Sequence, residues 1–364
     1  MKITKEPAPA ILLKRARRKV RQREKLHIRR GGHRRWPFAR AQYRSEFLVV
    51  HAPEIIDLNH FALRTPTLQF CQRIREGYLR KGQSLLLDFS RTKKLLSEGM
   101  LVVCAEIDRA QRMGDSAQAI RCRLPTGDKK SGRIVQEVFA QIGLLERLKH
   151  PRIHSDDAEF DPTVKNWRYA TGTRIDDRPS DILYEHEGQL AESLIKKMNI
   201  GLAEAVTNSL HHAYSKARTD GCGLFNERRW WMFTHESEGM LSVLVCDLGI
   251  GIARSLAGRW DRTILKKLEA AFSNDCPDVR AIKSALVVGE TSTGDEHRGK
   301  GLPQIWNAVH ENGVGGVAIF SGHGHLGRNM NKDYPQNGYY KSELLGTLIT
   351  WQVPVGAAGS DSDG

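Results

Sequence analysis

Three polar residues recur at four-residue intervals in the segment Glu204–Tyr214, EAVTNSLHHAY. On a helix, that spacing places Glu204, Asn208 and His212 along one side. An amide oxygen is a hard, neutral ligand suited to Mg²⁺, which takes its remaining ligands from water and phosphates. A carboxylate one turn away can orient or deprotonate a nucleophile beside that metal. His212 has two possible roles: it contacts a phosphate, or it is a packed or capping histidine.

Two further motifs place glycines beside residues that can bind a ligand. In VCDLGIGI (Val245–Ile252), Asp247 follows a predicted strand and precedes Gly249 and Gly251. A carboxylate at a strand end can accept a hydrogen bond from an exocyclic amine, as in adenine. Glycines let the backbone approach a ligand closely. The other motif is GTLITWQVP, in which Gly346 and Thr347 are predicted to open the last strand.

A second glycine motif, RGKGL (Arg298–Leu302), stands at the start of a predicted helix. Gly299 and Gly301 open a turn whose free N–H groups and helix dipole favour a phosphate. Arg298 and Lys300 either contact that phosphate or face solvent. Each motif alone has many structural uses, and their order along the chain carries the functional signal.

This order of motifs resembles the GHKL family of ATPases and kinases, which have the Bergerat fold. EAVTNSLHHAY resembles the N box of the anti-sigma-factor serine kinases in particular. The resemblance implies ATP and Mg²⁺ as cofactors, with Glu204 as base and Asn208 as metal ligand. It also implies the following site residues: Asp247 at the adenine amine, Gly249 and Gly251 in the adenine pocket, Gly299 and Gly301 beside the triphosphate, and Thr347 supporting the adenine site.

The elements that must position these residues form two αβ blocks. Residues 46–150 are predicted to form a βαβαβα block. Its strands lie near 46–52, 84–90 and 119–125, and its helices near 65–82, 97–112 and 131–148. A linker with one edge strand is predicted over 151–186. The second block is predicted over 187–354. From about Leu190 it contains two helical stretches, a hairpin turned at SEGM, a long segment over 252–298, a helix over 299–312 and two strands.

The first block resembles the STAS domain, the fold of the anti-sigma-factor antagonists. The resemblance rests on SLLLDFSRTKKLLSEGMLVV and on GRIVQEVFAQIGLLERL as a final helix. The phosphorylation loop of that family is incomplete here, because its Asp and one hydroxyl are missing. Ser97 is therefore interpreted as the N-cap of a helix rather than as a phosphoacceptor, and the block as a docking domain.

All of the excess charge lies in the N-terminal arm. Residues 1–45 hold 16 Lys and Arg and two Glu, whereas the other 319 residues have 40 basic and 40 acidic side chains. Such an arm, densest over 14–35, is expected to be disordered and to bind nucleic acid or another polyanion. The alternatives are a solvated tail or docking on an acidic protein. The tail over 355–364 is also expected to be disordered.

Composition excludes a membrane-spanning helix, because no run of 18 apolar residues is present. Six cysteines without CxxC spacing are typical of reduced thiols, and with the lack of a secretory signal they predict a cytoplasmic protein.

The sequence thus predicts an α/β (α+β) protein with an STAS-like domain followed by a GHKL α/β sandwich. Two functions are open: an Mg-dependent ATPase or protein kinase acting on a protein phosphoacceptor, or a non-catalytic, nucleotide-gated module that engages a protein or nucleic-acid partner. Its oligomeric state stays open.

Overall fold

The fold is described from a computed structural model. The described residues are 47–127, 129–151, 160–164, 167–184, 190, 192–221, 228–257, 262–291, 301–310, 315–329 and 336–356. The basic arm, residues 298–300 of the second glycine motif and most of the predicted C-terminal tail lie outside these ranges. The chain from Phe47 onward forms one compact unit.

The first block has the predicted alternation of strands and helices. Strands β1 (Leu48–His51), β3 (Leu85–Asp88) and β5 (Ile120–Arg123) form a parallel sheet in the order β1-β3-β5. Two very short parallel strands, β2 (Ile55–Ile56) and β4 (Lys94–Leu95), pair separately. Two residues are too few for alternation to be visible in sequence, so this pair was not predicted.

The described part of the first block has four helices, of which the first two connect its strands and the last two follow β5. They are α1 (Phe61–Ile74), which continues as a wider π-type segment over Arg75–Arg80, α2 (Ser97–Met113), α3 (Lys130–Gln141) and α4 (Leu144–Arg147). Every residue of α2 from Ser97 to Ala110 is buried. The expected N-cap is wrong by one position, because Leu96 occupies it and the Ser97 hydroxyl instead donates to Glu98 Oε2 at 3.2 Å.

The second block is built on a five-stranded antiparallel sheet in the order β6-β7-β8-β10-β9. Its strands are β6 (Arg168–Gly172), β7 (Trp230–Ser237), β8 (Met240–Asp247), β9 (Gly316–Asn329) and β10 (Gln336–Pro354). The hairpin of β7 and β8 and the edge strand β6 are as predicted. Alternation along each strand divides the side chains between the two faces of the sheet.

One face, called here the helix face, packs against the helices of the second block. It carries Trp230, Met232, Val243, Val245, Ile319, Ile349 and Trp351, which belong to one core cluster with residues of these helices. The helices are α5 (Arg178–Tyr184), α6 (Glu192–His211), α7 (Ile252–Ala257), α8 (Arg262–Ala271), α9 (Pro277–Thr291) and α10 (Gly301–His310). The segment that holds the first motif is therefore one helix, α6, rather than the second of two stretches.

The long segment between the two glycine motifs contains helices of different burial. None of the six residues of α7 is buried. Helix α9, in contrast, inserts Ile282 into the core of the helix face, where that side chain is fully buried. Asp278 in its first turn accepts the His323 amide of β9 at 2.8 Å. Helix α9 is thus fixed to the sheet.

The opposite face of the sheet packs against the first block. Trp231, Phe233, Leu244, Cys246 and Leu348 share a core cluster with that block.

Polar contacts add to this apolar packing between the two blocks. The Trp231 indole donates to Asp108 of α2 at 3.0 Å. The buried Arg64 of α1 lies 4.1 Å from the centre of the Tyr340 ring and donates to the Gly322 carbonyl at 3.3 Å. In the described part of the chain, no helix is long and apolar enough to cross a membrane.

Candidate functional site

Helix α6 presents the first motif at its C-terminal end. Glu204 and Asn208 are half-buried, one turn apart, beside the apolar residues that face the sheet. Burial raises the pKa of Glu204 above its ordinary value. Helix α6 ends at His211, so His212 lies just outside it, with its amide donating to the Asn208 carbonyl at 2.9 Å.

The end of β8 and the middle of β10 and β9 bring Asp247, Thr347 and Ser321 into one row, so Thr347 lies within its strand and does not open it as predicted. Asp247 of β8 is the register partner of Thr347 of β10, and Thr347 is the partner of Ser321 of β9. All three share the alternation of the apolar residues on the helix face. The antiparallel registers therefore align a carboxyl group and two hydroxyls beside the helices.

Asp247 is a buried carboxyl group whose pKa is raised. Its side chain is 6% exposed, and burial raises its pKa to about 7. Hydrogen bonds from the Gly249 amide, at 2.8 Å, and from the Thr347 amide and hydroxyl oppose this rise. The charge of Arg218 opposes it too, and Tyr214 and Cys246 are further titratable groups beside the carboxyl group. Asp247 therefore ionises close to neutral pH, while it accepts these hydrogen bonds within the protein.

The glycines after Asp247 allow the loop to touch the end of the α6 segment. The Ile250 amide donates to the Ala213 carbonyl at 2.8 Å. A Cβ atom on Gly249 would lie 2.1 Å from that carbonyl oxygen, so only glycine fits. Gly251 has a φ of +75°, a left-handed conformation that glycine adopts without strain. These contacts join the first and second motifs in space.

Ser321 holds the same loop from the sheet side. Its hydroxyl accepts the Ile252 amide at 2.9 Å and donates to the Gly346 carbonyl at 3.2 Å. Sequence analysis missed Ser321, although it continues the alternation of Val317 and Ile319 within β9.

Two more residues that sequence analysis missed hold the peptide groups of Leu248. The Leu248 amide donates to the Tyr214 hydroxyl at 3.1 Å, and its carbonyl accepts Arg218 Nη1 at 2.9 Å. Tyr214 is the last residue of the first motif, but the four-residue spacing of that motif does not include it and so assigned it no role. Arg218 stands in a segment without a sequence signal. Both follow α6 and together fix the residue between Asp247 and Gly249.

The second glycine motif is only partly described. Arg298, Gly299 and Lys300 lie outside the described residues, and Gly301 begins α10. Helix α10 packs against α6 and is tied to β10 by the Trp351 indole, which donates to the Ile305 carbonyl at 2.9 Å. The start of α10 and the end of α6 therefore belong to the same layer.

One cavity lies beside the Asp247–Gly251 loop, and a larger one lies between the two blocks. The smaller, about 50 Å³, is lined by Gly249, Gly251, Arg254, Ser321 and Gly346, among others. Ligand pockets are usually about 300–1,000 Å³, so a nucleotide would have to displace neighbouring groups. Helix α7, which has no buried residue, follows this loop directly and contributes Arg254 to the lining. The larger cavity, about 410 Å³, lies between α1 and residues 219–220 and 342–345.

Comparison with known proteins gives no family for the chain. No family model matches it, and a search of curated proteins finds no significant match.

Proposed function

We propose that the chain is an ATP-binding regulatory protein of the GHKL type with an STAS-like domain before the nucleotide domain. The observation that carries the proposal is the row Asp247–Thr347–Ser321 beside the end of α6. Two motifs about 40 residues apart in sequence are joined by the Ile250–Ala213 hydrogen bond. A third motif, which holds Thr347, pairs directly with Asp247.

The chemistry of the side chains fits Mg-ATP. Asp247, when ionised, accepts the exocyclic amine of adenine, and the Thr347 hydroxyl orients the carboxyl group. Asn208 offers an amide oxygen of the kind that Mg²⁺ binds. Bound Mg²⁺ would supply neutralisation of phosphate charge. Gly301 at the start of α10 offers a helix N-terminus to a phosphate, and Arg298, Gly299 and Lys300 belong to this proposal through their sequence position alone.

Glu204 is assigned as the general base. Its raised pKa makes the carboxylate a better proton acceptor than an exposed glutamate. It can take the proton of a water molecule or of a protein hydroxyl, which correspond to an ATPase and a protein kinase. Removal of Glu204 should therefore affect turnover rather than binding.

The first block is proposed as a docking domain. Ser97, the position nearest to the STAS phosphorylation site, is 8% exposed. Its hydroxyl already donates to Glu98, at 3.2 Å. A kinase could not reach this hydroxyl without opening the start of α2, and the group next to it is acidic.

The experiment compares wild type with Glu204→Gln and Asn208→Ala by calorimetry with Mg-ATP and by release or transfer of labelled γ-phosphate. We expect Asn208→Ala to weaken binding only when Mg²⁺ is present. We expect Glu204→Gln to bind normally and to lose turnover by about 10²- to 10⁴-fold. Glu192→Gln, an exposed position on the same helix, is the matched control.

The outcomes separate the functions. Turnover by wild type supports the enzyme, and the label on phosphate or on protein distinguishes ATPase from kinase. Tight binding without turnover or transfer supports the nucleotide-gated module instead. If folded wild-type protein binds no adenine nucleotide in the presence of Mg²⁺, the proposal is wrong.

A further inference from the structure

Four charged side chains form a cluster between the first block and the segment after α6. Glu106 of α2 accepts Arg75 at 2.6 Å and lies 3.7 Å from Arg218. Asp220 pairs with Arg218 and, at 3.2 Å, with Arg75. The side chains of Glu106 and Arg218 are 1% and 4% exposed. Two residues of each block thus share one buried ion cluster.

The cluster reaches the candidate site through Arg218. The Arg218 Nη1 atom donates to the Leu248 carbonyl at 2.9 Å, while the remaining guanidinium nitrogens face the carboxylates. Leu248 lies between Asp247 and Gly249, so a shift of the guanidinium group moves the loop that holds Asp247. The first block adds another contact here, because Arg80 donates to the Asp220 carbonyl at 2.6 Å.

Stability alone does not account for such a cluster. Burying two cations and two anions costs desolvation that their attraction only balances, and apolar residues of similar volume often stabilise a fold as well. One oxygen, Glu106 Oε2, is buried and has no hydrogen-bond partner among the described residues. What charged residues add here is a directional link. Asp220 accepts hydrogen bonds from Arg218 Nε and Nη2 and so orients the guanidinium group. Glu106 holds this pair through Arg75, which contacts both carboxylates, and through its own 3.7 Å ion pair with Arg218.

We propose that Arg218 is a positioning residue for the Asp247–Gly251 loop and that Glu106 holds it in place, so that the first block sets the nucleotide affinity of the second. The ligand in this inference rests on the proposed function. The link between Glu106 and Asp247 does not, because it is built from contacts within the protein.

The test compares Glu106→Gln with Glu137→Gln. Glu137 is a matched control, a buried glutamate of the first block that accepts the Asp161 amide at 2.8 Å and takes no part in the cluster. By calorimetry, Glu106→Gln should weaken Mg-ATP binding roughly two- to thirty-fold. Glu137→Gln should bind as wild type does. Equal affinities in wild type and Glu106→Gln would contradict the coupling.

A second measurement needs no nucleotide. The midpoint of Asp247 ionisation is followed by NMR of ¹³C-labelled aspartate carboxyl groups. Loss of a negative charge at Glu106 would by itself lower this midpoint, whereas displacement of Arg218 raises it, because Arg218 lowers the pKa of Asp247. We therefore expect an upward shift in Glu106→Gln and none in Glu137→Gln. An unchanged or lowered midpoint overturns the inference.

These readouts keep the two proposals apart. If wild type binds no nucleotide, the proposed function fails, and the midpoint alone decides the coupling. If Glu106→Gln does not fold, Arg75→Lys replaces it, because Lys keeps the charge but cannot reproduce the directed guanidinium contact. That variant should shift the midpoint in the same direction by a smaller amount, and no shift would overturn the inference.

Discussion

The ionisation of Asp247 predicts that adenine-nucleotide affinity rises with pH. The carboxyl group has a pKa of about 7 because it is buried. In the proposed site, only the carboxylate form of Asp247 would accept the adenine amine with charge assistance. With that pKa, about one tenth of the protein is ionised at pH 6 and about nine tenths at pH 8, so affinity should increase about tenfold between them. Above pH 8 the affinity should level off.

Asp247→Asn is the perturbation that isolates this effect. The amide keeps the shape and an acceptor oxygen, but it does not titrate. Calorimetry with Mg-ATP is done on both proteins at pH 6, 7 and 8. Because the nucleotide titrates identically in both experiments, the ratio of the two affinities at each pH reports on Asp247 alone. At pH 8 the variant should bind roughly ten- to a hundred-fold more weakly, the value of a charge-assisted hydrogen bond. Equal pH dependence in the two proteins would refute the role of Asp247 in binding.

The same pKa has a consequence for stability. The folded protein binds a proton at Asp247 that the unfolded chain, with an ordinary value of 3.8, has released. The free energy of unfolding should therefore fall as pH rises from about 4 to about 7. Chemical unfolding of wild type and Asp247→Asn over this range measures the contribution, and nucleotide should reduce it by favouring the carboxylate.

Two further predictions concern the packing around the site. Gly346 has a φ of +98°, and a Cβ atom there would lie 2.1 Å from the Asp247 carbonyl oxygen, so Gly346→Ala should cost more than the roughly 1–3 kcal/mol of backbone strain alone. Gly239→Ala, with φ +72° and open space, measures that strain in urea unfolding, and an equal loss would contradict the clash. His325 has a pKa lowered by burial and by Arg64, so unfolding free energy should fall as pH drops below 6.5. This fall should be smaller in His325→Gln, and an unchanged slope between pH 8 and pH 5 would rule out the assignment.

The sequence determined the elements with clear periodicity. The run SLLLDFS predicted strand β3, and the alternation of RRWWMFTHE and MLSVLVCDLG predicted the β7–β8 hairpin. These signals are local, because a strand or helix must bury one face and its apolar residues repeat accordingly. The same rule failed for β2 and β4, which have two residues each.

The identities of the candidate residues also came from sequence, since Glu204, Asn208, Asp247 and Thr347 were assigned from their types and order. Their roles stay predictions. The tertiary structure added their surroundings: the register that pairs Asp247 with Thr347, and the contact of Ile250 with Ala213. Register depends on which strands neighbour each other in the sheet, and the β8–β10 pairing joins segments about 100 residues apart.

Only the tertiary structure decided what surrounds the row Asp247–Thr347–Ser321. No motif assigned a role to Ser321, Tyr214 or Arg218, and each of them makes a hydrogen bond to a backbone group distant in sequence. The ion cluster is the clearest case, because Glu106 and Arg218 are separated by more than 100 residues and meet only where the first block packs against the sheet. Apolar periodicity fixes which face of an element is buried, but it does not specify which other element covers that face. Long-range contacts between polar groups follow from that choice, so they were decided by the fold rather than by any local pattern.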